Sequence, residues 1–402
     1  MNLRNLFARL FPQIFGEKIN MTLNFEGFIK DVQYKAFLAE DLPQYEYKNF
    51  DINKVETSGK IIFSNGEFAF SKWVSPKRTR SYPFERMYDT FNSPMRLTVI
   101  PVLKDEGLDG DLDRIQYSTI SWMNLLNIYI VLGYYDKASK NQRPLQFAKS
   151  KITSQEFNIS VVNDQLLKIS QYKQSALHWN RTLIEDRFVE IYKLALDSYE
   201  RISKETGAKV HDRDTQEQYL ATIMRDFANF KNISLRGSKG ASIRETQTTH
   251  NLEYLSDGMK ATFQIDNYLG GTYFLTADEV IKDEEGVYLI QESKNSTEGF
   301  LPSLSDIKDG LFKLILYSNL DSLRLDSEPV NFRSCLKLTG KKVSGSLSLP
   351  CDENSVIQFL NKNKGSYSKR EEETLRKLRP GSGPDCSRML QTTSGICKQS
   401  ET

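Results

Sequence analysis

Residues 262–294 read TFQIDNYLGGTYFLTADEVIKDEEGVYLIQESK. Two runs rich in β-branched and aromatic residues, Tyr273–Ile281 and Val287–Ile290, flank the charged turn Lys282–Gly286, which is the pattern of a β-hairpin. The first run carries Asp278, and the second leads into Glu292-Ser293-Lys294. Side chains alternate along a strand, so Glu292 and Lys294 are expected on one face and Ser293 on the other. Folding the hairpin back on itself brings Asp278 within reach of the Glu292 face. Two carboxylates and an ammonium at the frayed end of a sheet suit a hard divalent cation, with the lysine steadying an attacking water or a phosphate oxygen.

This arrangement resembles the PD-(D/E)xK nucleases, the family of many type II restriction endonucleases, in which an Asp on one strand and a Glu-x-Lys on the next form the catalytic site. Ala277-Asp278 stands where the family's Pro-Asp would be. The tripeptide takes its meaning from context: a hairpin, an Asp before it and a helix after it. A second Glu-x-Lys, Glu46-Tyr47-Lys48, has no such strand and Asp before it. The resemblance spans roughly residues 239–338 and implies an α/β class, with a restriction-endonuclease-like core (a mixed sheet flanked by helices) in the C-terminal half. It further implies catalysis by Asp278, Glu292 and Lys294, with Mg²⁺ on Asp278 and Glu292. In the family a helix before the central sheet often adds an acid, and Glu245 is the candidate, with Glu253 behind it. The function implied is a type II enzyme cutting double-stranded DNA at a specific sequence. Such an enzyme is expected as a homodimer, because two-fold protein symmetry matches a two-fold site, and with a cognate DNA methyltransferase encoded nearby. The alternatives are a repair or recombination nuclease on branched DNA, or a catalytically inactive DNA-binding protein with a nuclease fold.

Composition sets the remaining bounds. The chain has 402 residues, 39% of them hydrophobic and 11% aromatic, with a net charge of +2. A charge so near zero means that DNA contact has to come from local basic clusters. One is the stretch 72–83, where Lys72, Lys77, Arg78 and Arg80 alternate with Trp73, Ser75, Thr79 and Tyr82; the other is the turn around Arg236 and Lys239. That turn lacks the G-x-x-x-x-G-K-[ST] order of a phosphate loop, which argues against an NTPase. Cysteines at 335, 351, 386 and 397 lack the paired spacing of a zinc site or a disulfide framework. Three histidines, at 178, 211 and 250, assemble no Ser/His/Asp or Cys/His set. No apolar run approaches the ~20 residues of a membrane span, and a cytoplasmic protein is expected. The opening MNLRNLFARLFPQIF is read as an amphipathic helix docking on its own protein.

The chain divides, on this reading, into a separate α+β N-terminal domain (1–150) for recognition or dimerisation, a helical region (151–235), the nuclease core (236–365) and a polar, disordered tail (366–402), within which Lys369–Leu378 is a charged helix-like run and Arg379–Thr402 follows no period. Within the first, Lys60–Ser64 and Glu67–Trp73 form a hairpin around Asn65-Gly66, and Arg96–Val102 a strand. In the acidic loop Lys104–Asp113, Asp111 or a neighbour is expected to cap the next helix, and Ser118–Tyr135 is read as that buried helix. Lys137–Ser154 reads as a linker, and helices are expected over 163–172, 175–206 and 214–230. In the core, Ser303 and Asp306 form a capping box for a helix over 303–320, followed by a strand over Phe332–Leu338. Lys308 and Lys313 on that helix are read as solvated surface lysines, with phosphate contact as the alternative.

Overall fold

The computed structural model describes residues 22–379, apart from 37, 77–82, 143–148, 225–229, 234, 237–238, 241, 243–258 and 342. It is a mixed α/β protein with sheets flanked by helices. Among the described residues no helix is long and apolar enough to cross a membrane.

The expected hairpin is present, as β12 (Thr272–Lys282) and β13 (Tyr288–Ser296). Its turn is closed by Asp283, whose carboxylate accepts the amides of Glu285 (3.0 Å) and Val287 (2.8 Å). Gly286 there takes φ +83°, a conformation that side chains resist. The hairpin sits in a seven-stranded sheet with β1 (Leu23–Ile29), β11 (Met259–Asn267), β14 (Ser322–Leu325), β15 (Glu328–Pro329) and β16 (Phe332–Gly340), in the order β15-β14-β1-β11-β12-β13-β16. β11, β12 and β13 form an antiparallel meander, and β16 lies parallel to β13. Between β13 and β14 runs α7 (Leu304–Ser318), capped by Ser303, which accepts the Asp306 amide at 3.2 Å.

The sheet curls. β15 and β16 lie at opposite edges, yet only residues 330–331 separate them. That linker reaches about 11 Å, whereas seven flat strands would span roughly 29 Å. Accordingly Phe25 of β1 meets Tyr288 of β13 edge-on at 5.4 Å, across two intervening strands. α7 fills the concave side, where Tyr317 packs on Phe263 and donates its hydroxyl to Thr276 O.

A five-stranded sheet, β2 (Gln44–Glu46), β3 (Ser58–Phe63), β4 (Gly66–Lys72), β5 (Arg96–Pro101) and β8 (Tyr129–Gly133), forms the N-terminal half. The β3–β4 loop is Ser64-Asn65, one residue earlier than expected, because Phe63 pairs with Gly66. Two ribbons accompany the sheet, β6 (Leu103–Asp105) with β7 (Leu112–Arg114) and β9 (Tyr135–Lys140) with β10 (Ile152–Phe157). The helices are α1 (Pro83–Asp89), α2 (Tyr117–Leu125), α3 (Ile159–Ser170), α4 (Ala176–Asp186), α5 (Phe188–Thr206) and α6 (Arg213–Met224). At the edge strand β8, amide side chains stand in for a neighbouring strand. Gln165 of α3 bonds both Leu132 N and Leu132 O (3.0 and 2.7 Å), and Asn180 of α4 bonds Ile130 N and Ile128 O (2.8 and 3.0 Å).

Several sequence expectations are corrected. The run Ser118–Tyr135 is not one helix: α2 ends at Leu125, Asn127 turns the chain at φ 52°, and 129–133 is a strand buried throughout. A continuous apolar run satisfies a buried strand as well as a buried helix. The acidic loop is the β6–β7 hairpin, and Gln116 precedes α2 with no side-chain cap. The expected linker Lys137–Ser154 is strand at both of its ends, where β9 pairs with β10, and residues 143–148 within it lie outside the described part. The halves also interlock. β1 lies in the C-terminal sheet parallel to β11, Phe84 of α1 stacks on Phe312 of α7 at 4.4 Å, and Trp122 meets Tyr273 at 3.9 Å. The helix-like run expected at 369–378 is α9 (Lys369–Leu378), which follows α8 (Glu353–Lys362); it buries Leu375 and Leu378, so the chain from 366 is not uniformly tail. Residues 380–402 lie outside the described part.

Candidate active site

The β12–β13 ladder runs from Lys282↔Tyr288 to Glu279↔Gln291 and stops there. Beyond that rung β12 stays with β11 while β13 continues along β16, so the two strands part. Asp278 and Glu292 are the first residues past the last rung. The Asp278 carboxylate accepts the Ser293 amide at 2.8 Å.

A β-bulge aims Asp278. Ala261 pairs with Ala277 and Met259 with Val280, so β12 gains a residue on β11 at this point. Bulges re-aim side chains next to functional sites. Here the extra residue lets Ala277 keep its place on the concave face while Asp278, two residues before Val280, faces the same way as Glu292.

Glu292 is 1% exposed and carries two ammonium groups on Oε1, Lys313 Nζ of α7 at 2.7 Å and Lys294 Nζ at 3.2 Å. Lys294 is held on its other side by Asp309 of α7 at 2.7 Å. The result is an alternating chain of charge, Lys313–Glu292–Lys294–Asp309, built by two residues of a strand and two one helical turn apart. Gly310 allows the close approach: a Cβ there would lie 2.6 Å from Leu336 Cδ1 and 3.3 Å from Lys294 Cγ.

Three carboxylates, Asp278, Glu292 and Asp309, meet two ammonium groups, so the cluster carries one negative charge in excess. Burial raises the Glu292 pKa, Asp278 raises it further, and Lys313 and Lys294 offset only part of this. Burial alone would lower Lys313 and Lys294, but Glu292 and the other carboxylates outweigh it and hold both above the ordinary lysine value. Surplus negative charge thus adds to burial at Glu292 and overcomes it at the two lysines. Glu292 Oε2 is buried and has no hydrogen-bond partner among the described residues, an arrangement that costs free energy unless a cation or proton supplies the missing contact.

The structure thus brings together Asp278, Glu292 and Lys294. Glu245, Lys77, Arg78 and Arg80 lie outside the described residues. Arg236 and Lys239 are exposed. Lys72 is half-buried and donates to Ile52 O (2.8 Å) and Val55 O (2.9 Å); burial and then the Arg86 charge lower its pKa against a smaller pull from Asp51. Lys308 and Lys313 are not solvated surface lysines. Lys308 is 2% exposed against Asp89 at 2.6 Å, while Lys313 is in the site, as is Asp309, which the sequence reading did not single out. The available signal was the i, i+4 spacing of Asp309 and Lys313 beside the apolar stripe Ile307, Leu311 and Leu314.

Among the described residues no three His, Cys, Asp or Glu side chains converge to hold a metal by themselves. Mg²⁺ commonly takes one or two carboxylates and completes its shell with water and phosphate. Asp278 and Glu292, with a buried oxygen that has no hydrogen-bond partner among the described residues and with surplus negative charge, fit that requirement. No family model, no curated protein and no solved structure matches the chain.

Proposed function

We propose that this protein is a Mg²⁺-dependent endonuclease of the PD-(D/E)xK type, hydrolysing phosphodiesters of double-stranded DNA at a specific sequence. The observation that carries the reading is the meeting of Asp278, Glu292 and Lys294 where β12 and β13 part, with Glu292 Oε2 lacking a hydrogen-bond partner among the described residues. The surrounding order supports it: three antiparallel strands, the helix α7, and then, after the short strands β14 and β15, β16 lying parallel to β13. Asp278 and Glu292 would hold the cation, which when bound supplies Lewis-acid polarisation of the phosphate. Lys294, fixed between Glu292 and Asp309, orients the attacking water and offsets the charge that develops at phosphorus. The N-terminal half would contribute site recognition or dimerisation, and cutting both strands of a symmetric site calls for two copies. The restriction reading calls for a cognate methyltransferase encoded nearby and a cytoplasmic location. The test is incubation of the full chain with plasmid and Mg²⁺: discrete bands support it, and intact plasmid across several substrates of different sequence counts against it.

A further inference from the structure

Lys313 has no place in the Asp-Glu-Lys set, yet it is the group bound most closely to Glu292, at 2.7 Å against 3.2 Å for Lys294. The two lysines differ in what else they touch. Lys294 has Asp309 as its own counter-ion at 2.7 Å, whereas the Lys313 ammonium has Glu292 as its only ion-pair partner among the described residues. A divalent cation entering between Asp278 and Glu292 meets a like charge already seated on Glu292 Oε1. In a buried site that repulsion is strong. Lysine is a flexible stem ending in a compact charge, so Lys313 can yield without movement of α7.

We infer that Lys313 is the resting counter-ion of Glu292, displaced by the incoming cation so that its ammonium turns toward the DNA backbone lying where β12 and β13 part. The inference rests on the metal-site reading above and assigns the site a built-in occupant: Lys313 keeps a buried carboxylate paired when no cation is present. It also makes cation binding and exposure of a new phosphate-binding group the same event.

Lysine acylation of the full chain, read by peptide mass spectrometry with and without saturating Ca²⁺ and without DNA, tests it directly. Lys313 should label slowly without Ca²⁺ and about tenfold faster or more with it, since a buried ion pair protects the amine. Lys308, buried against Asp89, is the internal control and should not change. In calorimetry, Lys313→Met should bind Ca²⁺ about tenfold more tightly than the unaltered chain, because one competing charge is gone. If Ca²⁺ binds but Lys313 labelling is unchanged, or the Met variant binds it no more tightly, the lysine stays in place and the inference fails while the metal site stands. If neither Ca²⁺ nor Mn²⁺ binds at millimolar concentration, the metal-site reading fails and takes the inference with it. Should the Met variant not fold, labelling of the unaltered chain decides alone.

Discussion

Asp278 accepts the backbone amide of Ser293 at 2.8 Å, and Ser293 is next in line for a ladder that has just ended. A side chain thus takes over a backbone rung. The same carboxylate stands where the strand pairing ends and β12 and β13 part.

Asp278→Ala should therefore act twice. Cleavage should fall about 10²-fold or more through the lost ligand. The orphaned Ser293 amide should cost about 1–3 kcal/mol of stability. DNA binding in Ca²⁺ should survive, since the carboxylate acts on the transition state more than on the ground-state complex. Plasmid cleavage beside a gel shift checks this, and a variant cutting at the normal rate sinks the site assignment.

The raised Glu292 pKa makes a signed prediction. The folded chain holds that proton more tightly than the unfolded chain, so its stabilising contribution is complete below the ordinary glutamate pKa and is lost as pH rises through the folded value. In cation-free buffer the unaltered protein should lose stability relative to Glu292→Gln over that window and run parallel above it. Denaturant midpoints of the pair against pH give the comparison; a constant difference would remove the effect.

Gly310→Ala would ordinarily stabilise a helix by up to about 1 kcal/mol. Here the added methyl meets Leu336 at 2.6 Å, and overpacking should instead cost about 1–3 kcal/mol. Because Lys294 borders the same space, cleavage should fall further than the melting temperature alone explains.

Replacing Gln165 or Asn180 by Leu should destabilise by about 2–4 kcal/mol each, since each leaves a buried N–H and C=O of β8 or its approach unpaired. Thermal melts measure it, and near-neutral changes would show that water replaces the amides.

Lys72→Ala should lower stability and leave the salt dependence of DNA binding unchanged, because the ammonium is committed to two carbonyls. Removing Lys77, Arg78 and Arg80 together should flatten that dependence, by about 0.9 in log–log slope for each phosphate that is no longer neutralised.

What the sequence made legible was local. The hairpin, its charged turn, the shared face of Glu292 and Lys294 and the Ser303 cap are all written within a few residues of where they act. The rest depends on partners far along the chain. The bulge at Asp278 appears only when β12 is laid against β11. Asp309 and Lys313 acquire their role only when α7 crosses the concave face. The strand at 129–133 is decided by β5 beside it, and nothing in Leu23–Ile29 announces that it pairs with Ala261–Asn267.

That last pairing governs how the protein can be made. β1 lies between β14 and β11, so the sheet holding Asp278 and Glu292 has a gap at its middle until both ends of the chain exist. Contacts this distant in sequence fold slowly. A ribosome would release β1 long before β11 and β14 emerge, and the sheet carrying Asp278 and Glu292 would close only after them. A fragment starting at residue 236 would carry every residue of the Asp-Glu-Lys set yet leave β11 a bare edge, prone to pair with other chains.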